Sequence, residues 1–440
     1  MSQSATGSLA FPALGPQSLE VDFFGGRLTS DGGLAWLAET DQALGLTAAL
    51  ATVIPDWRTR RGTHALSTLV AQRVYQIACG YEDQDDADHL RTDPLLKHVC
   101  GRVPQTGADL ASQPTFSRLE NAVSARTCYH LAQLLGTVYL RERERDGVPT
   151  HLVLDVDGTD DPTHGDQEGT AYHGYYQQHQ YFPLLVFDGE TDQLITAVLR
   201  PGTVHASHGA VAILKRIVAA VRARWPDVTL ELRADRGFAV PALYAWCEAE
   251  AITYTVGLAT NARLERAVAP LQAAAERQSA AQNGAKVRLL GETTYQADSW
   301  PHPRRVVMKA EVLPKGTNTR FVVTTRTDAS DQVYDWYVDR GASENWIKDL
   351  KAGCFADRLS CHRFGANQFR LLLHAAAYWL LDTLRRWLTT VGIARMTLET
   401  VRLRLLKIGG WVRERHDHVR LRLATSHPSE TWWRALAARP

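Results

Sequence analysis

The chain has 440 residues, 45% of them hydrophobic and 22% charged, with a formal net charge of +1. Such values belong to a globular protein of two or three domains. No apolar run reaches membrane-spanning length, and the start, Met1-Ser-Gln-Ser-Ala-Thr-Gly7, lacks the basic and apolar parts of an export signal, so a cytoplasmic location is expected.

In chain order, residues 1–20 read as a disordered start, followed by an alternating stretch, Leu19–Gly26, that suggests a short strand and turn. Helical periodicity then dominates. Ser30-Asp-Gly-Gly opens one pattern, Leu66, Leu69, Val70, Val74 and Ile77 mark a second, and residues 84–98 and 127–145 carry more. Residues 1–145 are therefore expected to form a mainly helical N-terminal domain.

At His151 the pattern changes to apolar runs at 151–157, 181–187 and 194–199, then a helix at 208–224, a strand at 228–234, a helix at 240–250 and a strand at 252–257. This order predicts an α/β fold with a ribonuclease-H-like core, its first part at 146–258. Residues 259–326 hold a helix and three β-rich runs (293–299, 304–312, 319–326), a β-rich insertion before the second part of the core at 327–392. The last region, 393–440, is basic: residues 401–440 hold nine Lys or Arg against three acids, and Trp411–Leu423 reads as a hairpin. Charge distribution bears on polyanion binding more than the net sum does; a solvated surface is the other account of this region.

The stretch Tyr337–Lys351 has no Pro and predicts a helix. At about 100° per residue, Tyr337, Arg340, Glu344, Lys348 and Lys351 fall on one stripe roughly 80° wide. Taken alone, this is also the pattern of a charged solvent face. Two upstream strands end in acids, Leu152-Val-Leu-Asp155-Val-Asp157-Gly-Thr159 and Leu230-Glu-Leu-Arg-Ala-Asp235-Arg-Gly-Phe238. Two strand-end Asp and one helical Glu form a donor set for two divalent ions of the kind that cleave phosphodiesters.

Tyr337, Arg340, Glu344 and Lys351 match the Tyr-Arg-Glu-Lys signature of DDE transposases from bacterial insertion sequences. The neighbouring text resembles the insertion-sequence thirteen-eighty family of the insertion-sequence-four superfamily: Asp155-Val-Asp157-Gly-Thr159, His164-Gly-Asp-Gln-Glu-Gly169, Tyr172-His-Gly-Tyr175, Leu199-Arg-Pro-Gly202, Arg233-Ala-Asp235-Arg-Gly-Phe238 and Ala366-Asn-Gln-Phe-Arg370. The resemblance spans about residues 150–380. It implies Asp157, Asp235 and Glu344 as metal ligands for two Mg²⁺ or Mn²⁺ ions, with Asp155 as an alternative or helper to Asp157. It also implies DNA contacts from Tyr337, Arg340 and Lys351, with Lys348 on the same stripe. Arg236 stands where the family often has Ser and adds charge beside Asp235. A cut-and-paste transposase acting as a homodimer on paired inverted-repeat ends of double-stranded DNA is the function so implied.

Three imidazoles, His164, His173 and His179, lack regular ligand spacing and suggest DNA contact or local hydrogen bonding before zinc. Trp336 and Trp346 flank the signature and suit core packing or base stacking. Two rival functions stand. Asp155-Val-Asp157-Gly-Thr159 also fits a haloacid-dehalogenase-type phosphatase with Asp155 as nucleophile, although its companion motifs are missing. A catalytically retired, DNA-binding transposase descendant is the other.

Overall fold

A computed structural model describes the chain except for residues 1, 4–8, 12–18, 60, 61, 146, 175 and 440, with only the backbone of 2, 3 and 9–11. Much of the expected disordered start therefore lies outside the described residues, as does Tyr175 of the sequence match. Ser2–Gln3, Leu9–Phe11 and Leu19–Val21 form a small antiparallel sheet. Among the described residues no helix is long and apolar enough to cross a membrane.

The chain folds into two compact units, one of residues 1–52, 56–119 and 377–440, the other of 53–55 and 120–376. The first is mostly helical. Its helix Leu66–Cys79 buries almost every side chain from Leu69 onward and stops at Gly80, whose φ of +93° is the left-handed cap that a Cβ would oppose. A buried amide staples this helix to its surroundings: Gln72 donates to the Ala111 carbonyl at 2.9 Å and accepts from the Ala111 N–H at 3.0 Å.

The second unit is a mixed α/β structure around one large sheet. Its strands are β1 (His151–Gly158), β2 (Leu184–Asp188), β3 (Leu194–Val198), β4 (Thr229–Ala234), β5 (Thr253–Leu258), β6 (Val287–Tyr295), β7 (Arg304–Leu313) and β8 (Gly316–Thr324), in the order β3-β2-β1-β4-β5-β8-β7-β6. β4 is parallel to both β1 and β5, and the other pairings are antiparallel. Residues 152–156 of β1 are buried on both faces, which explains why that run is apolar without alternation until its acidic end. The segment read as a β-rich insertion extends this same sheet with β6, β7 and β8.

Two helices follow their sequence signals closely: α1 (Ala125–Arg143), capped by Ser124, and α2 (Ala210–Arg224). The run at 181–187 divides, because Pro183 has no N–H to donate to a ladder; Gln178–Tyr181 pairs elsewhere and β2 starts at Leu184. The first strand of the added three also begins earlier than its sequence signal, at Val287 rather than 293.

The helix expected over Tyr337–Lys351 is not uniform. It is α-helical at α3 (Ser330–Val338), tightens to a 3-10 turn at Asp339–Ala342, returns to α at α4 (Ser343–Lys348) and widens to a π turn at Asp349–Gly353. A 3-10 turn advances about 120° per residue instead of 100°, so four residues rotate the next helical segment by roughly 80°. The single stripe read from the sequence is thereby broken across the turn that contains Arg340.

Candidate active site

β1 and β4 run side by side in register, Asp155 beside Arg233 and Val156 beside Ala234. Asp157 and Asp235 are the next residue on each strand, so both carboxylates project from one face at neighbouring strand ends. One step further across the sheet, Val256 pairs with Ala234, which brings Gly257 level with Asp235. A Cβ on Gly257 would sit 2.5 Å from the Tyr337 hydroxyl, so this glycine makes room for the phenol beside Asp235.

Arg340 closes the arrangement. Its Nη1 donates to Asp157 Oδ2 at 2.8 Å, and the Ser343 hydroxyl lies 3.5 Å from the same oxygen. The Gly158 N–H occupies Asp157 Oδ1 at 2.9 Å. Burial pushes the Asp157 carboxyl up to about 6, against the pull of Arg340 and with the push of the Asp235 carboxylate. Burial alone would lower the Arg340 guanidinium, but Asp157, then Tyr337 and Asp235, hold it above its ordinary value. Asp235 is half-buried and accepts from the Gly237 N–H at 2.9 Å, capping the turn Arg236–Phe238.

Asp155 is in a different situation. It is 1% exposed, and both its oxygens accept from Arg233, Nε and Nη2 each at 2.7 Å. Arg233 spends its third nitrogen on the Trp336 carbonyl at 3.0 Å, and its guanidinium stacks 4.7 Å from the Trp336 ring. Arg326 stacks near the same ring at 4.8 Å. Two guanidiniums thus lie against the Trp336 ring, while Trp346 is buried against Phe187 at 5.6 Å.

Glu344 does not join the two Asp. It is exposed, whereas its neighbour Ser343 is buried and turned toward Asp157, as the 3-10 rotation requires. Among the described residues, no three Asp, Glu, His or Cys side chains are placed to hold a metal ion. The two neighbouring carboxylates are of the hard-oxygen type that divalent cations take, and the Arg340 guanidinium on Asp157 balances their charge.

The model of the family described as "Transposase DDE domain group 1" matches residues 11–439. The chain belongs to the DDE transposases. No curated protein matches it. Among solved structures, the cryo-EM structure of a piggyBac transposase synaptic complex with hairpin DNA is similar at 13% identity and a TM-score of 0.44, over 86% of this chain and 80% of that one. That likeness is too distant to bear on function.

In this DDE transposase, the other cations expected at the site differ in their surroundings. Lys351 donates to the Asp160 carbonyl at 2.8 Å and to its carboxylate at 3.0 Å. Lys348 and Arg236 are exposed. Beside the Lys351 pair, Asp161 is 1% exposed, and among the described residues neither of its oxygens has a hydrogen-bond partner. Burial, then Asp357, pushes this carboxyl well above its ordinary value. Sequence reading missed Arg233, Ser343, Gly257 and Asp160. Arg233 alone left a signal, the one cation of its strand, directly beside Asp155 once the strands are placed in parallel.

Proposed function

We propose that the protein is a cut-and-paste DNA transposase of the insertion-sequence thirteen-eighty type, in the insertion-sequence-four superfamily, with its catalytic centre on a ribonuclease-H-like core. The observation that carries the reading is the convergence of Asp157 and Asp235 at adjacent parallel strand ends, met by Arg340 from the segment bearing the Tyr-Arg-Glu-Lys spacing. The strand order β3-β2-β1-β4-β5, antiparallel up to β1 and parallel from β1 to β5, supports the core assignment.

In this reading Asp157, Asp235 and Glu344 would hold two Mg²⁺ or Mn²⁺ ions, which activate water and stabilise the leaving oxygen of a phosphodiester. Asp157 takes the first-ligand role over Asp155, since both Asp155 oxygens are committed to Arg233. Asp155 and Arg233 instead fix the end of β1 beside β4. Glu344 follows Ser343, whose hydroxyl lies 3.5 Å from Asp157, and its exposed carboxylate would have to turn inward to complete the set. Arg340, Tyr337 and Lys351 grip phosphates at the element's end, and Lys348 and Arg236 add exposed charge. The substrate is double-stranded DNA, with two protomers on paired inverted repeats in the cytoplasm.

The phosphatase reading of Asp155 has no comparable support: a nucleophile must be reachable, and this carboxylate is buried with both oxygens bonded. The test is cleavage of a labelled duplex carrying the element's own end, with Mg²⁺, by wild type and Asp235→Ala. Metal-dependent nicking at the end, absent in the variant, is the expected result. Binding without nicking by wild type would instead identify a retired descendant, and hydrolysis of a small phosphate ester would restore the phosphatase.

A further inference from the structure

The C-terminal hairpin pairs β9 (Gly410–Glu414) with β10 (Val419–Leu423) and belongs to the unit that does not contain Asp157 and Asp235. Trp411 lies opposite Arg422, and Arg413 opposite Arg420. Strand alternation puts these four side chains on one face, and Arg415 continues their row. The other face carries the fully buried Val412 with the half-buried Leu421 and Leu423, which anchor the ribbon. Glu414 also projects from that anchoring face and accepts from the Gln105 N–H at 3.0 Å and the Thr106 hydroxyl at 3.0 Å.

The outward face is therefore cationic without compensation. Arg413, Arg415, Arg420 and Arg422 are all exposed. Asp417 at the turn is taken by His418 at 2.7 Å, and among the described residues no ion pair reaches any of the four guanidiniums. Arg413 chiefly, with Arg420 and Arg422, holds the Arg415 guanidinium below its ordinary value. Trp411 spreads two of the charges, Arg413 and Arg422 each lying 5.6 Å from its ring centre. Like charges directly opposite across a strand pair destabilise the ribbon, so this face is built at a cost that a polyanion removes. A two-stranded ribbon also has the width of the DNA major groove.

We propose that this arginine face binds the phosphate backbone of duplex DNA, without base specificity, as a contact separate from the candidate active site. The choice of duplex DNA over other polyanions rests on the transposase reading; the charge geometry does not.

The test uses the full chain and a labelled duplex of random sequence, with affinity measured across salt concentrations of roughly 50 to 200 mM. Replacing Arg413, Arg415, Arg420 and Arg422 together by Gln should make the slope of log affinity against log salt shallower by about 3 to 4, at about 0.9 per phosphate contact. Arg420→Glu serves as the second variant. It sets a carboxylate opposite Arg413, so it should melt no lower than wild type while binding the duplex more weakly. An unchanged slope in folded variants would overturn the proposal, as would wild-type preference for an RNA hairpin or for vesicles of anionic phospholipid. End cleavage by wild type, scored separately, distinguishes the two readings: its loss would remove the transposase assignment and leave the slope result standing.

Discussion

Arg233, Arg340 and Lys351 each meet a carboxylate, those of Asp155, Asp157 and Asp160, whereas among the described residues Arg413, Arg415, Arg420 and Arg422 meet none. The first set lies half-buried or deeper, on a strand and on helical turns; the second stands in solvent on a ribbon. Burial explains the difference. A charge withdrawn from water must be paired or neutralised, while an exposed one is screened by solvent and remains available to a partner. Pairing at strand ends holds the site in shape, and the unpaired ribbon suits electrostatic capture.

The sharpest way to break this comparison is at Asp235 or Asp157. If Asp157 is the ligand proposed, Asp157→Asn should reduce metal-dependent end cleavage by at least about a hundredfold, since losing it would remove several kcal/mol of transition-state stabilisation. Duplex binding should remain, and a gel assay at saturating DNA reads both effects.

Arg233→Met tests the buried pair. It leaves the Asp155 carboxylate buried without a partner, a change worth about 3 to 5 kcal/mol of stability. Urea denaturation should show that loss, and adding Asp155→Leu should recover much of it. A loss under about 1 kcal/mol for the single change would mean that Arg233 does not carry the pair.

Acidity tests the Asp157 environment. Its carboxyl is raised from an ordinary 3.8 to about 6, so the folded, metal-free chain binds this proton more tightly than the unfolded chain does. The stabilisation from that proton is complete below pH of about 4 and is lost as pH rises to about 6. Asp157→Asn should flatten the urea midpoint across that window. Metal binding moves oppositely, since it requires the carboxylate, and should weaken below pH of about 6 in a Mn²⁺ titration.

The smallest effect belongs to the ribbon. Arg420→Glu converts a repulsive cross-strand pair into an attractive one and should raise the melting temperature only slightly. A fall would mean that the arginines hold the hairpin together.

Much of the fold was legible because burial leaves a pattern. The apolar run at 152–156, the helical spacing at 127–145 and the alternation at 411–423 each correspond to an observed element. Pro183 and the early start of β6 were less legible, since one depends on a single missing N–H and the other on pairing with β7. At the site, the two strand-end Asp and Arg340 were visible as residue types in known spacings. Gly257 and Ser343 were not, because a glycine matters there only for the hydroxyl that fills its space, and a serine only for the direction in which a tightened helix points it.

The sequence by itself determined that acids end two apolar strands, that a Tyr-Arg-Glu-Lys spacing comes after them, and that the C-terminus is basic. These are one-dimensional facts about composition and interval. Only the tertiary structure decided that both oxygens of Asp155 go to Arg233 whereas Asp157 meets Arg340, that a 3-10 turn containing Arg340 precedes Glu344, and that four arginines share a face without an ion pair among the described residues. Each of those depends on strand register or helical pitch, which small differences in packing set and no interval along the chain records.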